Sequence, residues 1–171
     1  FNLLDIPPPN MDANILGGGM SSRLNQAIRE RNGLAYSVYS YPSYYKKGGT
    51  FEIYAGLSPE NAEKACKLIE YELETMLNDG ITEREFNRAK TQAVNSLYMN
   101  SESNLTLMRL YGRSMLKFNE LFDLDKEAEN YRAVTIDDVN EIAELFLKPY
   151  ACAYVGPQSK QYDFVAKLKI K

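Results

Sequence analysis

Arg29 and Tyr36 are the residues of this chain best equipped for chemistry. They stand in the run Ile28-Arg29-Glu30-Arg31-Asn32-Gly33-Leu34-Ala35-Tyr36-Ser37-Val38, seven positions apart and separated by a glycine. A cation at a helix end and a phenol beyond a glycine stop put two hydrogen-bond donors where a helix hands over to a strand. Each also has a plain structural reading. A helix C-terminus favours an arginine through its macrodipole, and Tyr36 is one of thirteen tyrosines. The chain contains no histidine, so the usual general base and the commonest metal ligand are both absent.

The segment Leu16-Gly17-Gly18-Gly19-Met20-Ser21-Ser22-Arg23-Leu24 lies just upstream. Glycines beside helix amides can cradle an anion, which makes a nucleotide- or anion-binding module one functional alternative. A phosphate loop, however, ends in Gly-Lys-Ser/Thr and follows a strand, whereas Gly19 precedes Met20. The same glycines serve equally well as a tight joint that lets helices and a sheet pack closely.

Bulk composition narrows the classes. The chain has 171 residues, 44% of them hydrophobic and 25% charged, as in one globular domain with a buried core. A net charge of -3 and the lack of a Lys/Arg cluster exclude a nucleic-acid footprint. A solvated turn accounts for the single basic doublet, Lys46-Lys47. Cys66 and Cys152 are far apart in sequence and form no zinc spacing; both read as small core residues. No apolar run approaches the ~18 residues of a membrane span. The first residues lack the basic start and apolar stretch of a signal peptide, so the location expected by default is cytoplasmic.

The elements that must position Arg29 and Tyr36 follow from local punctuation. Residues 1–13, with Pro7-Pro8-Pro9, read as an irregular start, with truncation as one expectation. A helical pattern sets in from Met11, pauses at the glycines and resumes at Ser21-Ser22, with Leu24, Ala27 and Ile28 on one apolar face and Asn32-Gly33 as the stop. Ala35 to Tyr44 has strand composition. Gly48-Gly49 is expected to turn it back into Phe51, Ile53 and Ala55, which alternate with Glu52 and Tyr54.

Helices follow. Ser58-Pro59 predicts an N-terminus for the stripe Ala62, Ala65, Cys66, Ile69, Leu73, Met76 and Leu77, ended by Asp79-Gly80. Thr82 and Glu85 form a capping box for a long helix through Phe86, Ala89, Ala93 and Leu97. Residues 100–104 break or bend it before a pattern through Leu107, Leu110, Tyr111 and Met115. Thr135 caps a helix with Ile136, Val139, Ile142, Ala143 and Phe146 inward, stopped by Pro149. Tyr150 to Val155 reads as a short strand, with a helix or frayed tail after it. Adjacent strands followed by helices indicate an α+β domain, residues 1–171, with an antiparallel or mixed sheet and helices on one face.

The run LGGGMSSRLNQAIRERNGLAYSVYS resembles the carboxy-terminal half of pitrilysin-type zinc metallopeptidases, the group that includes insulin-degrading enzyme and mitochondrial processing peptidase. The likeness is greatest to short bacterial processing-peptidase-like members. It continues through DGITEREFNRAKTQ, TIDDVNEIAELF and YACAYVGP, covering roughly residues 14–157.

The resemblance implies a processing-peptidase-like half-domain and a partner. In this family two related halves close around a peptide. The amino-terminal half carries H-x-x-E-H, with two histidines and a further glutamate on zinc and the motif glutamate as base. The carboxy-terminal half supplies an arginine and a tyrosine, matched here by Arg29 and Tyr36. Arg29 would hold a substrate carbonyl and Tyr36 would donate to the oxyanion. This chain has no H-x-x-E-H, so zinc is implied only in the partner half and the chain by itself is expected to be inactive.

The family's non-catalytic scaffold and substrate-guiding subunits give a second functional alternative. The family pattern also places strands ahead of the glycines. Sixteen residues with three consecutive prolines precede Gly17 here, which leads to the expectation of an incompletely represented half whose sheet edge needs a partner.

Overall fold

A computed structural model describes residues 10–45, 48–143 and 151–156. The chain opens with α1 (Asn10–Gly17) and a π-helical turn (Asn25–Glu30), followed by β1 (Ala35–Tyr45) and β2 (Gly48–Leu57). A 3-10 turn (Pro59–Asn61) leads into α2 (Ala62–Asp79), α3 (Glu83–Ser101), α4 (Asn104–Phe118), α5 (Leu124–Ala133) and α6 (Ile136–Ala143). This is the expected α+β order of helix, hairpin and helices. Residues 1–9 with Pro7-Pro8-Pro9, Lys46-Lys47, Phe146, Pro149, Tyr150 and the chain from Pro157 onward lie outside the described residues.

Among the described residues, β1 and β2 form a two-stranded antiparallel sheet. Val38 opposes Ala55, Ser40 opposes Ile53 and Pro42 opposes Phe51. Val38 and Ser40 are buried, and Phe51, Ile53, Ala55 and Leu57 pack against the core from β2. The intervening positions, Tyr39 opposite Tyr54 and Tyr41 opposite Glu52, occupy an open face. Tyr39 and Tyr54 stack there at 4.8 Å. Period-2 alternation therefore divides the hairpin into a helix-covered face and a tyrosine-rich open one.

The core joins Met11, Ile15 and Leu16 of α1 to Leu24 and Ile28 and to Val38 of β1. Ala65, Leu73 and Met76 of α2, Phe86, Ala89 and Ala93 of α3, and Val139 and Ala143 of α6 complete it. The apolar positions recur at three- and four-residue spacing, so each helix turns one stripe inward. On α4 the pattern is looser: Leu107 and Leu110 are half-buried while Tyr111 and Met115 are exposed.

Local chemistry accounts for the boundaries. The Thr82 hydroxyl accepts from the Glu85 amide at 3.3 Å, and the Glu85 carboxylate accepts from the Thr82 amide at 2.9 Å, completing the capping box. Asp138 closes the equivalent reciprocal pair with Thr135. Ser103 caps α4 after the interruption expected at residues 100–104. Gly33 and Gly80 have φ of 60° and 73°, a backbone region where a side chain is costly.

Several expectations are corrected. α1 starts at Asn10, so the irregular stretch does not extend to residue 13. Gly48 and Gly49 are paired strand residues opposite Tyr45 and Tyr44 and do not themselves form the turn. Ser58 makes no side-chain cap bond, because the 3-10 turn intervenes before α2. Residues 151–155 form no strand and are exposed, Cys152 included. Among the described residues the sheet holds β1 and β2 alone, and a short apolar run becomes a strand only when it pairs with one. Cys66 is half-buried, and both thiols are free.

Candidate functional site

The glycine run is a joint. A Cβ on Gly17 would fall 2.4 Å from the Ser40 amide nitrogen and 2.9 Å from the Tyr39 carbonyl carbon, so the end of α1 lies directly on the backbone of β1. Ser40 strengthens the contact by donating its hydroxyl to the Ala13 carbonyl at 3.0 Å. The Gly18 amide donates to the Asn14 carbonyl and the Ser22 amide to the Gly19 carbonyl. Those amides are occupied within the chain, which removes them from any anion cradle.

Arg29 lies on the π-helical turn. The Arg31 amide reaches back five residues to the Gln26 carbonyl at 3.0 Å, inserting one residue more than an α-turn holds. Leu24, Ala27 and Ile28 anchor this segment in the core. Arg29 faces out with 46% of its side chain exposed, its Nε 3.8 Å from Glu30 Oε1. The exit is fixed by short contacts. Asn32 donates its amide to the Ala27 carbonyl at 2.8 Å, and the Gly33 amide to the Arg29 carbonyl at 2.9 Å. Beyond Gly33, Leu34 is buried and its carbonyl accepts from the Asn61 amide group at 3.2 Å.

Tyr36 stands at a break in the ladder. Ala35 opposes Leu57 and Ser37 opposes Gly56, so Tyr36 is an extra residue without a cross-strand partner. The consequence for its side chain is decisive. Counting back from buried Val38 and Ser40, strict alternation would turn Tyr36 inward. The insertion gives that inward position to Ala35, leaving Tyr36 86% exposed. Its hydroxyl has no partner among the described residues and is free to donate.

The two donors thus sit on consecutive elements, each at a one-residue insertion, on either side of the Asn32-Gly33 joint. No hydrogen bond joins them to one another among the described residues. Both are exposed side chains on a scaffold held from beneath by buried neighbours.

Arg23 is a half-buried structural cation held by an ion pair. Its Nε and a terminal nitrogen donate to Glu85 at 2.7 and 2.9 Å, and the terminal nitrogen also reaches the Gly80 carbonyl at 3.0 Å. Burial alone would raise the Glu85 carboxyl, but the Arg23 and Thr82 donors outweigh it and hold it at about 2. Sequence reading found Glu85 only as a cap, because its arginine lies 62 residues away.

The residues present do not fit a zinc ion. Imidazole is missing from the whole chain, and burial raises the Cys66 thiol to about 11, against the thiolate a metal requires. Among the described residues no three His, Cys, Asp or Glu side chains form a metal-holding group. No described helix is long and apolar enough to cross a membrane.

Comparison with known proteins places this geometry. A family model described as the peptidase M16 inactive domain matches residues 4–93. An uncharacterized zinc protease of Bacillus subtilis, YmxG, is 39% identical over 145 residues, covering 84% of this chain and 36% of its own length. A zinc protease of Streptomyces coelicolor is 38% identical over 157 residues, covering 88% of this chain and 34% of its own. The chain therefore spans about a third of the length of these relatives. Among solved structures, a peptidase M16 inactive domain from Pseudomonas fluorescens aligns with TM-score 0.71 and 26% identity, covering 82% of this chain and 34% of that one. A Helicobacter pylori protease shares the fold, with TM-score 0.71 and 23% identity over 81% of this chain and 34% of that one.

Proposed function

This chain belongs to the family of peptidase M16 inactive domains, and on that premise we propose that it is the zinc-free half of a zinc metalloendopeptidase, binding extended peptide and stabilising the tetrahedral intermediate. The observation that carries the reading is the outward placement of Arg29 and Tyr36 by two backbone insertions in a segment otherwise anchored in the core.

The roles follow from the donors. Arg29 holds a main-chain carbonyl of the peptide through charge-assisted hydrogen bonds, fixing the register of the scissile bond. Tyr36 donates its unpartnered hydroxyl to the oxygen that becomes negative as the scissile carbonyl is attacked. Zinc and the attacking water belong to an amino-terminal half, in the same polypeptide or a separate subunit, since the side chains here do not suit the ion. A cytoplasmic location accompanies this reading, supported by the two free thiols.

The test is peptide hydrolysis by the chain joined to its zinc-bearing half. A single preorganised oxyanion donor contributes ~3 kcal/mol at the transition state. Tyr36→Phe is therefore expected to lower kcat by about two to three orders of magnitude, with zinc content unchanged. Arg29→Ala is expected to lower kcat/KM, largely through KM. Wild-type rates in both variants would transfer the protein to the scaffold or substrate-guiding role.

A further inference from the structure

We infer that the outer side of α4 is the docking surface for the zinc-bearing half, an inference that rests on the reading of this chain as one half of a larger peptidase. Six large apolar side chains, Leu105, Met108, Tyr111, Met115, Leu116 and Phe118, are exposed on this helix. At ~100° per residue they span one continuous arc of roughly 160°. Leu107, Leu110 and Ser114 on the other side are half-buried, and α4 lies against α3. α4 is thus apolar on two sides, whereas α2, α3 and α6 each turn one stripe into the core. A helix of that kind belongs between two layers, and the outer layer is missing among the described residues.

The arc has a charged border. Arg109 and Arg113 follow it on the Leu116 side, both exposed and without an ion pair among the described residues. α4 contains no Asp or Glu to answer them. The matching surface is therefore an apolar patch edged by carboxylates. Two copies of α4 laid together would bring guanidiniums near one another with no acid between them, which disfavours a second copy of this chain as the occupant. The polypeptide available for the task is large. Relatives 39% and 38% identical to this chain have only 36% and 34% of their own length matched by it, so nearly two-thirds of each lies outside. On that reading the zinc-bearing half belongs to the remainder. A contiguous apolar surface with a polar rim is what such an interface requires.

Methionine oxidation tests the surface without using activity. Dilute hydrogen peroxide is applied to this chain alone and to the assembly that contains the zinc-bearing half, with sulfoxide at Met108 and Met115 read by mass spectrometry. Because attack on the thioether follows exposure, both are expected to oxidise about tenfold more slowly in the assembly. Leu116 is 90% exposed, so Leu116→Glu should leave the melting temperature of the chain alone little changed. The same variant should lower the melting temperature of the assembly and restore fast oxidation. Leu116→Gln is the milder probe if the glutamate variant fails to fold, and Arg113→Glu should weaken the assembly through the charged border. Equal oxidation rates in chain and assembly, or slow oxidation already in the chain alone, overturn the inference. If the methionines stay open in the assembly, dimerisation of the chain or its binding to phosphatidylglycerol vesicles, lost with Leu116→Glu, would give the surface to a second copy or to a membrane instead. Wild-type kcat in Tyr36→Phe with protected methionines would remove the oxyanion reading and leave this surface standing.

Discussion

Asp12 brings a carboxyl into α1 with nowhere to place its charge. It is 1% exposed, and neither oxygen has a hydrogen-bond partner among the described residues. A first-turn acid is normally welcome at a helix N-terminus, but desolvation dominates here and pushes the group up to about 7. Its ordinary value is 3.8. The acid is therefore protonated in the fold where the unfolded chain ionises it. Stability is full below about pH 4, falls as pH rises, and levels off above about 7, a loss of up to roughly 4 kcal/mol. Urea midpoints at pH 4.5 and 8 should differ in that direction, and Asp12→Asn should flatten the dependence. The sequence showed an acid beside apolar Met11; that it would be sealed in was decided by β1 and the helices packed around α1. The exposure of Arg29 and Tyr36 could not be read from their types alone, and Glu85 as an ion-pair partner depends on an arginine 62 residues away.

At the scale of elements, Gly17 and Gly19 make opposite predictions from adjacent sequence. A side chain on Gly17 meets the β1 backbone, which cannot swing aside, while one on Gly19 meets nothing within 4 Å. Gly17→Ala should destabilise by about 1–3 kcal/mol and Gly19→Ala by no more than ~0.5 kcal/mol, as read from thermal or denaturant melts. Equal effects would return the run to a flexible linker. Helix ends were legible where caps act over three or four residues: Thr82 with Glu85, Thr135, and Asn32-Gly33 all stand where their side chains or glycine conformations demand. The π-turn under Arg29 and the insertion at Tyr36 were hidden. An inserted residue is defined only against the neighbouring turn or strand, and composition carries no trace of it. Residues 151–155 illustrate the converse, since their apolar run suggested a strand and they pair with none among the described residues.

Across the whole molecule, the helices cover one face of the hairpin and leave tyrosines on the other. Arg23 ties the segment after the glycines to α3 through Glu85 and to the Gly80 turn, so the element bearing Arg29 is fastened to the helical layer. This architecture offers donors and a surface but no side-chain set for zinc. The chain purified alone is expected to retain no stoichiometric metal, to show no rise in melting temperature on adding zinc, and to leave an unstructured peptide intact until the zinc-bearing half is supplied. Metal analysis and a peptide-cleavage time course check all three.

The odd residue in β1 has one more consequence. Because the strand's phase changes between Ala35 and Ser37, the count of residues there matters as much as their identity. Excising Ala35 would bring the ladder back into step and set the phenol opposite Leu57 in the greasy interior, with every remaining letter of the segment intact. A protein built this way is hurt more by a single-codon deletion than by most substitutions, and a comparison that scores only matched letters would pass such a lesion as harmless.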